Sequence, residues 1–192
     1  MKYKIDFYKG NYSLRQKSAN ADRAAVYVEH HFNGGGASAN YALCNVATNA
    51  SGKSRAVAKS YVDKISRAFS IPVANNDFAK AGVSVGGYQG RGNGNLASTN
   101  MPAILLEPLF ASNPRHADII RSETGQITLA RCLVETIVEH FPNGGLIAFS
   151  VGHKYKTDKP LDRGVPLAGG GTEADYAEKV LIKAAGMLSA IE

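Results

Sequence analysis

Two histidines and one glutamate in this 192-residue chain stand at the ends of apolar runs, and a second glutamate stands at a helix start. His153 follows Gly152 at the end of Leu146-Ile147-Ala148-Phe149-Ser150-Val151, and Glu107 closes Ala103-Ile104-Leu105-Leu106. His31 lies in Glu29-His30-His31-Phe32-Asn33, just after the apolar stretch 24–28, and Glu173 opens the last helical stretch. In an open α/β sheet, sites gather outside the carboxyl ends of strands. Two imidazoles and one carboxylate, with water in the fourth position, are a donor set for hydrolytic zinc, and the ion lowers the pKa of that water to about 7. A second, unligated carboxylate is then needed as general base and proton shuttle. Glu173 and Glu107 are available for those two jobs.

Each residue also has a structural reading. A lone Gly-His can end a strand in a polar loop. Thr172-Glu173-Ala174-Asp175 is also a capping-box pattern, and a carboxylate in a first helical turn is favoured by the helix dipole. Glu107 is harder to dismiss, because an ionised carboxylate bordering a core needs a partner or a task. His30 and His31 are adjacent on a strand and point to opposite faces, so at most one can face a site. It is the joint placement of the four residues that argues for chemistry.

The elements that must position them follow from periodicity. Alternation over 2–7 predicts a short strand, Ser13 caps a short helix over 14–21, and 24–28 and 41–46 read as strands. Residues 54–69 place Val57, Ala58, Tyr61, Val62, Ile65 and Phe69 at helical spacing. Residues 82–100, rich in Gly and Asn, read as a long loop. A helix is expected over 119–141, broken near Gly125 and stopped by Pro142-Asn143-Gly144-Gly145, and the final helix begins at Glu173. Alternating helices and buried strands predict an α/β fold, a three-layer sandwich around a largely parallel or mixed sheet. The chain has no internal repeat and no linker, so residues 1–192 are expected to form a single domain.

At 44% hydrophobic residues the chain can build a real core. No apolar run reaches membrane-spanning length, which excludes stable membrane insertion through a helix. The segment Met1 to Phe7 has no signal-peptide core, so synthesis in the cytoplasm is expected. Cys44 and Cys132 lie far apart and outside any metal-like spacing, and are expected to be reduced, buried thiols. The net charge of +6 favours polyanionic partners. The charges are dispersed without aromatic interleaving, which argues against nucleic acid as the partner.

Met101-Pro102-Ala103-Ile104-Leu105-Leu106-Glu107-Pro108-Leu109-Phe110-Ala111-Ser112-Asn113-Pro114 resembles a motif of the zinc-dependent N-acetylmuramoyl-L-alanine amidases: an apolar strand, a catalytic glutamate, then Phe-x-Ser-Asn. Ser13-Leu14 through Ala19-Asn20, with Val28-Glu29-His30-His31-Phe32-Asn33, is similar to that family's helix and its Ser-Ile-His-x-Asn strand end, which selects His31 over His30. Gly152-His153, Asp162-Arg163-Gly164 and Glu173 resemble its first strand, Asp-x-Gly loop and ligand-bearing helix. The resemblance implies that His31, His153 and Glu173 bind Zn2+ and that Glu107 activates water, with Arg91 and Asn33 as substrate contacts. The chain departs from the family's pattern at Pro108-Leu109, where a glycine is usual, and at Lys154-Tyr155, where Gly-Gly is usual.

The order of these motifs is rotated, with the family's first strand and helix coming last. That is the pattern of a circular permutation, with the old termini joined through 142–145 and residues 146–192 packed beside 1–33. The implied function is hydrolysis of the amide between N-acetylmuramic acid and L-alanine of peptidoglycan. The expected protein is a monomeric phage endolysin, acting on the bacterial wall in the host cell. The alternatives are a non-catalytic peptidoglycan-binding domain and a zinc endopeptidase that cuts stem-peptide cross-links.

Overall fold

The computed structural model describes residues 2–192. Seven strands form one mixed sheet: β1 (Tyr3–Phe7), β2 (Val26–His30), β3 (Leu43–Val46), β4 (Ala79–Lys80), β5 (Val83–Val85), β6 (Ala103–Glu107) and β7 (Gly145–Val151). Their spatial order is β1-β7-β2-β6-β3-β5-β4. The four strands β1, β7, β2 and β6 are mutually parallel, while β3 runs antiparallel to β6. Consequently β2, β6 and β7 all end at one edge of the sheet, and their last residues lead into His31, Glu107 and Gly152-His153.

Alternation divides the core in two. Val26, Val28, Ile104, Leu106, Ile147 and Phe149 point to one face, where they pack with residues of α2 (Gly52–Phe69), α4 (Glu123–His140) and α5 (Glu173–Ser189). Tyr27, Leu105 and Ala148 point to the other face, with Ala19 of α1 (Tyr12–Ala21) and Leu96. Each large apolar side chain fully buried in this way contributes roughly 1.5–3 kcal/mol. The arrangement is the expected α/β sandwich, with most of its helices on one face.

Several boundaries differ from the sequence expectation. The first helix starts at Tyr12 rather than after a Ser13 cap, and Asn11 occupies its N-cap. The Asn11 side chain does not cap; its Oδ1 accepts from the backbone N–H groups of Thr157 and Asp158. The second strand is shifted to Val26–His30, so Glu29 and His30 lie inside the ladder. The helix expected over 119–141 is two helices, α3 (Pro114–Arg121) and α4, meeting at Ser122 rather than Gly125. The Gly/Asn-rich loop holds β5 and two short 3-10 turns, Tyr88–Gly90 and Asn93–Asn95.

The turn before β7 lies against the start of β1. Gly145 N donates to Lys2 O at 3.0 Å, and a Cβ on Gly144, where φ is +76°, would stand 2.0 Å from Lys2 O. Here only glycine fits. Among the described residues no helix is long and apolar enough to cross a membrane, and both cysteines are free and buried.

Candidate metal centre

His31 extends β2 by one residue, its backbone N–H donating to Leu106 O at 2.9 Å. Gly152 N–H donates to His30 O at 2.9 Å, so the end of β7 is carried beside it. His153 then leaves the strand with φ of 62°, a left-handed backbone that is rare for a residue with a side chain and that clusters at functional sites. Its N–H donates to Tyr12 Oη at 3.0 Å. Glu173 is held in the first turn of α5, where Thr172 caps the helix by accepting from Asp175 N.

These three side chains converge. His31 Nδ1 lies 3.1 Å and His153 Nε2 3.2 Å from the same oxygen, Glu173 Oε1. The other ring nitrogens face carboxylates: His31 Nε2 is 2.9 Å from Glu29 Oε1, and His153 Nδ1 is 2.9 Å from Asp162 Oδ1. The remaining oxygen of Glu173 accepts from Val165 N at 2.8 Å. One atom from each of His31, His153 and Glu173 falls within a 4.8 Å group.

This donor set fits a zinc ion. Two imidazoles and a carboxylate present one ligand atom each to a common point, and each histidine has its second nitrogen on a carboxylate, as metal-binding histidines usually do. Glycines bring the backbone up against these side chains. A Cβ on Gly152 would lie 2.3 Å from His31 Cε1, and one on Gly164, where φ is +70°, would lie 2.3 Å from Glu173 Cδ.

The electrostatics follow from the contacts. Burial opposes charge on His31, but its hydrogen bonds to Glu173 and Glu29 outweigh that and raise it to about 10. Burial likewise works against the Glu173 anion, yet the two histidines bring its pKa down to about 2. His153 is raised as well: burial works against its charge and the Glu173 contact prevails.

Glu107 ends β6 on the rim of the same cavity, about 550 Å³ in volume. Burial raises its pKa, against the lowering effect of His31 and of a hydrogen bond from Asn45. That bond runs from Asn45 Nδ2 to Glu107 Oε2 at 3.0 Å, and among the described residues the carboxylate receives no other. A half-buried carboxylate with a raised pKa and a free oxygen is suited to proton transfer. Asn33 and Arg91 also line the cavity, together with Tyr12, Tyr41, Tyr88 and Lys156.

His30 faces the other way. It packs edge-on against Phe32, with ring centroids 4.9 Å apart, and among the described residues neither ring nitrogen has a hydrogen-bond partner. Sequence reasoning did not assign roles to Asn45 or Glu29. The i, i+2 spacing of Glu29 and His31 on one strand face was the available signal for Glu29.

Residues 4–139 match the family described as N-acetylmuramoyl-L-alanine amidase. None of the curated proteins compared with the chain matches it. Among solved structures, the chain is similar to the catalytic domain of CwlV, an N-acetylmuramoyl-L-alanine amidase from Bacillus (Paenibacillus) polymyxa var. colistinus, with a TM-score of 0.55 and 22% identity, covering 69% of this chain and 66% of that one. It is also similar to an N-acetylmuramoyl-L-alanine amidase from Clostridium difficile 630, with a TM-score of 0.57 and 24% identity over the same shares of the two chains. A third is the amidase Ami1 from Mycobacterium smegmatis, with a TM-score of 0.54 and 21% identity, covering 65% of this chain and 57% of that one. The chain thus spans slightly less than two thirds of the first two of these proteins, and at these identities the likeness is one of fold. The family match takes in more than half of the sequence, together with His31 and Glu107, and the chain belongs to the N-acetylmuramoyl-L-alanine amidase family.

Proposed function

We propose that this protein is a zinc-dependent peptidoglycan amidase that cleaves the bond between N-acetylmuramic acid and L-alanine. The observation that carries the reading is the convergence of His31, His153 and Glu173 beside Glu107 in one cavity, in a chain of the amidase family. His31, His153 and Glu173 would hold the zinc. When bound, the ion supplies Lewis acidity at the scissile carbonyl and an acidified water.

The protein's own part is proton transfer and placement. Glu107 takes the proton of the attacking water on the oxygen that Asn45 leaves free, and passes it to the amine of L-alanine as the C–N bond breaks. Arg91 and Asn33, on the cavity wall, contact the stem peptide. The net charge of +6 suits approach to an anionic wall.

The deciding experiment is mass spectrometry of digested wall with the purified, zinc-loaded protein. Free stem peptides starting at L-alanine are expected. Shortened cross-links on intact muropeptides would indicate an endopeptidase, and binding without release a non-catalytic domain. Metal analysis should find about one zinc per chain, and sedimentation should find a monomer. The endolysin reading adds that expression inside a bacterial host, followed by membrane permeabilisation, lyses the cell; intact walls after that treatment would refute it.

The single domain is proposed to be circularly permuted. Two observations support this: the family match stops at residue 139, before His153 and Glu173, and β7 sits between β1 and β2 in the sheet. In space, α5 packs on both β7 and β1, so the unit β7–α5–β1 reads as a continuous βαβ. A chain opened within 142–144 and joined from Glu192 to Lys2 by a short linker should fold and bind zinc. Loss of folding in that variant would count against the permutation.

A further inference from the structure

Glu29 lies on the strand face of β2 that carries Tyr27 and His31, and its side chain is wholly removed from solvent. A carboxylate in such a place is costly unless each oxygen is hydrogen-bonded. Here both are. Oε1 is the partner of His31 Nε2 at 2.9 Å and accepts from Asn95 Nδ2. Oε2 accepts from Ser150 Oγ at 2.8 Å and Tyr27 Oη at 3.2 Å.

Behind this group, the buried Arg15 guanidinium anchors Ser150. Its Nη1 donates to Ser150 Oγ at 2.8 Å and to Val151 O at 2.7 Å, and its Nε donates to Gly10 O at 2.7 Å. Residues from α1, β2, β7 and the Asn93–Asn95 turn are thereby arranged around one anion. A strand position that served packing alone would be filled by an apolar side chain.

We propose that Glu29 is the positioning residue of His31, fixing which imidazole nitrogen is presented to the metal. The inference rests on the metal-binding reading above. An ionised carboxylate only accepts, so it holds a proton on His31 Nε2 and leaves Nδ1 as the nitrogen directed at Glu173 and His153. Asp162 does the converse for His153, holding Nδ1 and leaving Nε2. The two histidines therefore offer opposite nitrogens. Aligned on His31-Phe32-Asn33, Glu29 stands where the Ser-Ile-His-x-Asn pattern has serine. A hydroxyl both donates and accepts, so it would not dictate the tautomer.

The test uses the zinc-loaded full chain. Nitrogen-15 NMR of the histidine rings should show His31 coordinated through Nδ1 with a proton retained on Nε2; coordination through Nε2 would overturn the proposal. In Glu29→Gln an amide NH2 is set against a site built from donors. Chelator competition should then show zinc affinity reduced by about 10–100-fold, and the visible spectrum of the cobalt-substituted variant should shift. Wild-type affinity and spectrum in Glu29→Gln would reduce Glu29 to a structural group and overturn the inference, even if the variant is less stable. If Glu29→Gln does not fold, the NMR assignment on the wild-type protein decides. An unmutated protein that takes up no zinc would instead sink the metal-binding reading itself, a result distinct from wild-type zinc binding that Glu29→Gln leaves unchanged.

Discussion

Residues 4–139 and the stretch that follows each contribute two groups to the candidate site, but they hold them by different means. His31 and Glu107 come from the first region, on neighbouring strands whose backbones are tied into the sheet. His153 and Glu173 come from the second, on either side of a connection in which Gly164, Gly169, Gly170 and Gly171 all have positive φ. His153 itself sits in a left-handed turn with its side chain 29% exposed, against 9% for His31. One half of the site is fixed by the ladder, and the other by a loop that must be folded correctly onto it. The half fixed by the sheet is also the half that the family match covers.

That contrast is broken most severely by removing ligands. His31→Ala and Glu173→Ala should each lose zinc and bring wall hydrolysis to background, as measured by metal content and peptide release. If only the substitution in the sheet-held half did so, Glu173 would not be a ligand. Glu107→Gln comes next: peptide release should fall by about 10²–10⁴-fold while zinc content stays at the wild-type level. An active Glu107→Gln would remove Glu107 from its role as base.

The two glycines beside His31 and Glu173 sharpen the comparison. Gly152→Ala would push a methyl group into the His31 ring, whose backbone is fixed by the sheet, so the ring must be displaced. Gly164→Ala meets the Glu173 carboxylate and also requires φ of +70°, a conformation that costs of order 1–3 kcal/mol. Both variants should weaken zinc binding in chelator competition. Gly164→Ala should in addition lower the melting temperature, because its backbone is strained whatever room the side chain finds. Equal melting temperatures for the two would mean that the loop relaxes around the new methyl group.

Alternation and apolar runs were enough to locate the strand ends, and so the positions of three of the four candidate site residues. Glu107 terminates β6 where Ala103-Ile104-Leu105-Leu106 runs out, and His31 and His153 follow in the same way. The helix boundary near 122 was misplaced for a physical reason. Gly125 does not break a helix; a Cβ there would lie 2.0 Å from Ile119 O, so glycine is needed for α4 to start so close to the end of α3. The cap is Ser122, whose Oγ accepts from Gly125 N at 3.0 Å. β5 was hidden because Val83-Ser84-Val85 is too short to stand out among glycines and asparagines. Glu29 was only half legible: its i−2 and i+2 neighbours Tyr27 and His31 share its strand face, but Asn95 and Ser150, which complete its hydrogen bonds, lie too far along the chain for any local pattern to join them.

The smallest expected effect separates the two faces of β2 at adjacent positions. His31 has both nitrogens partnered, whereas His30 is buried with neither partnered, and burial brings its pKa down to about 3. A buried donor left without an acceptor costs about 1–3 kcal/mol. His30→Leu, which keeps the contact with Phe32 apolar, should therefore raise stability by about that amount. The sign of the pH dependence follows from linkage. The folded pKa of His30 lies below the unfolded value near 6.5, so the unfolded chain binds the extra proton and the wild-type protein loses stability as pH falls from about 6.5 toward 3. His30→Leu should thus gain more at pH 5 than at pH 8 in denaturant unfolding, with zinc content unchanged. A gain that is flat across that range would mean that His30 finds a proton acceptor in solution, and that the two faces of β2 differ less than their hydrogen bonds indicate.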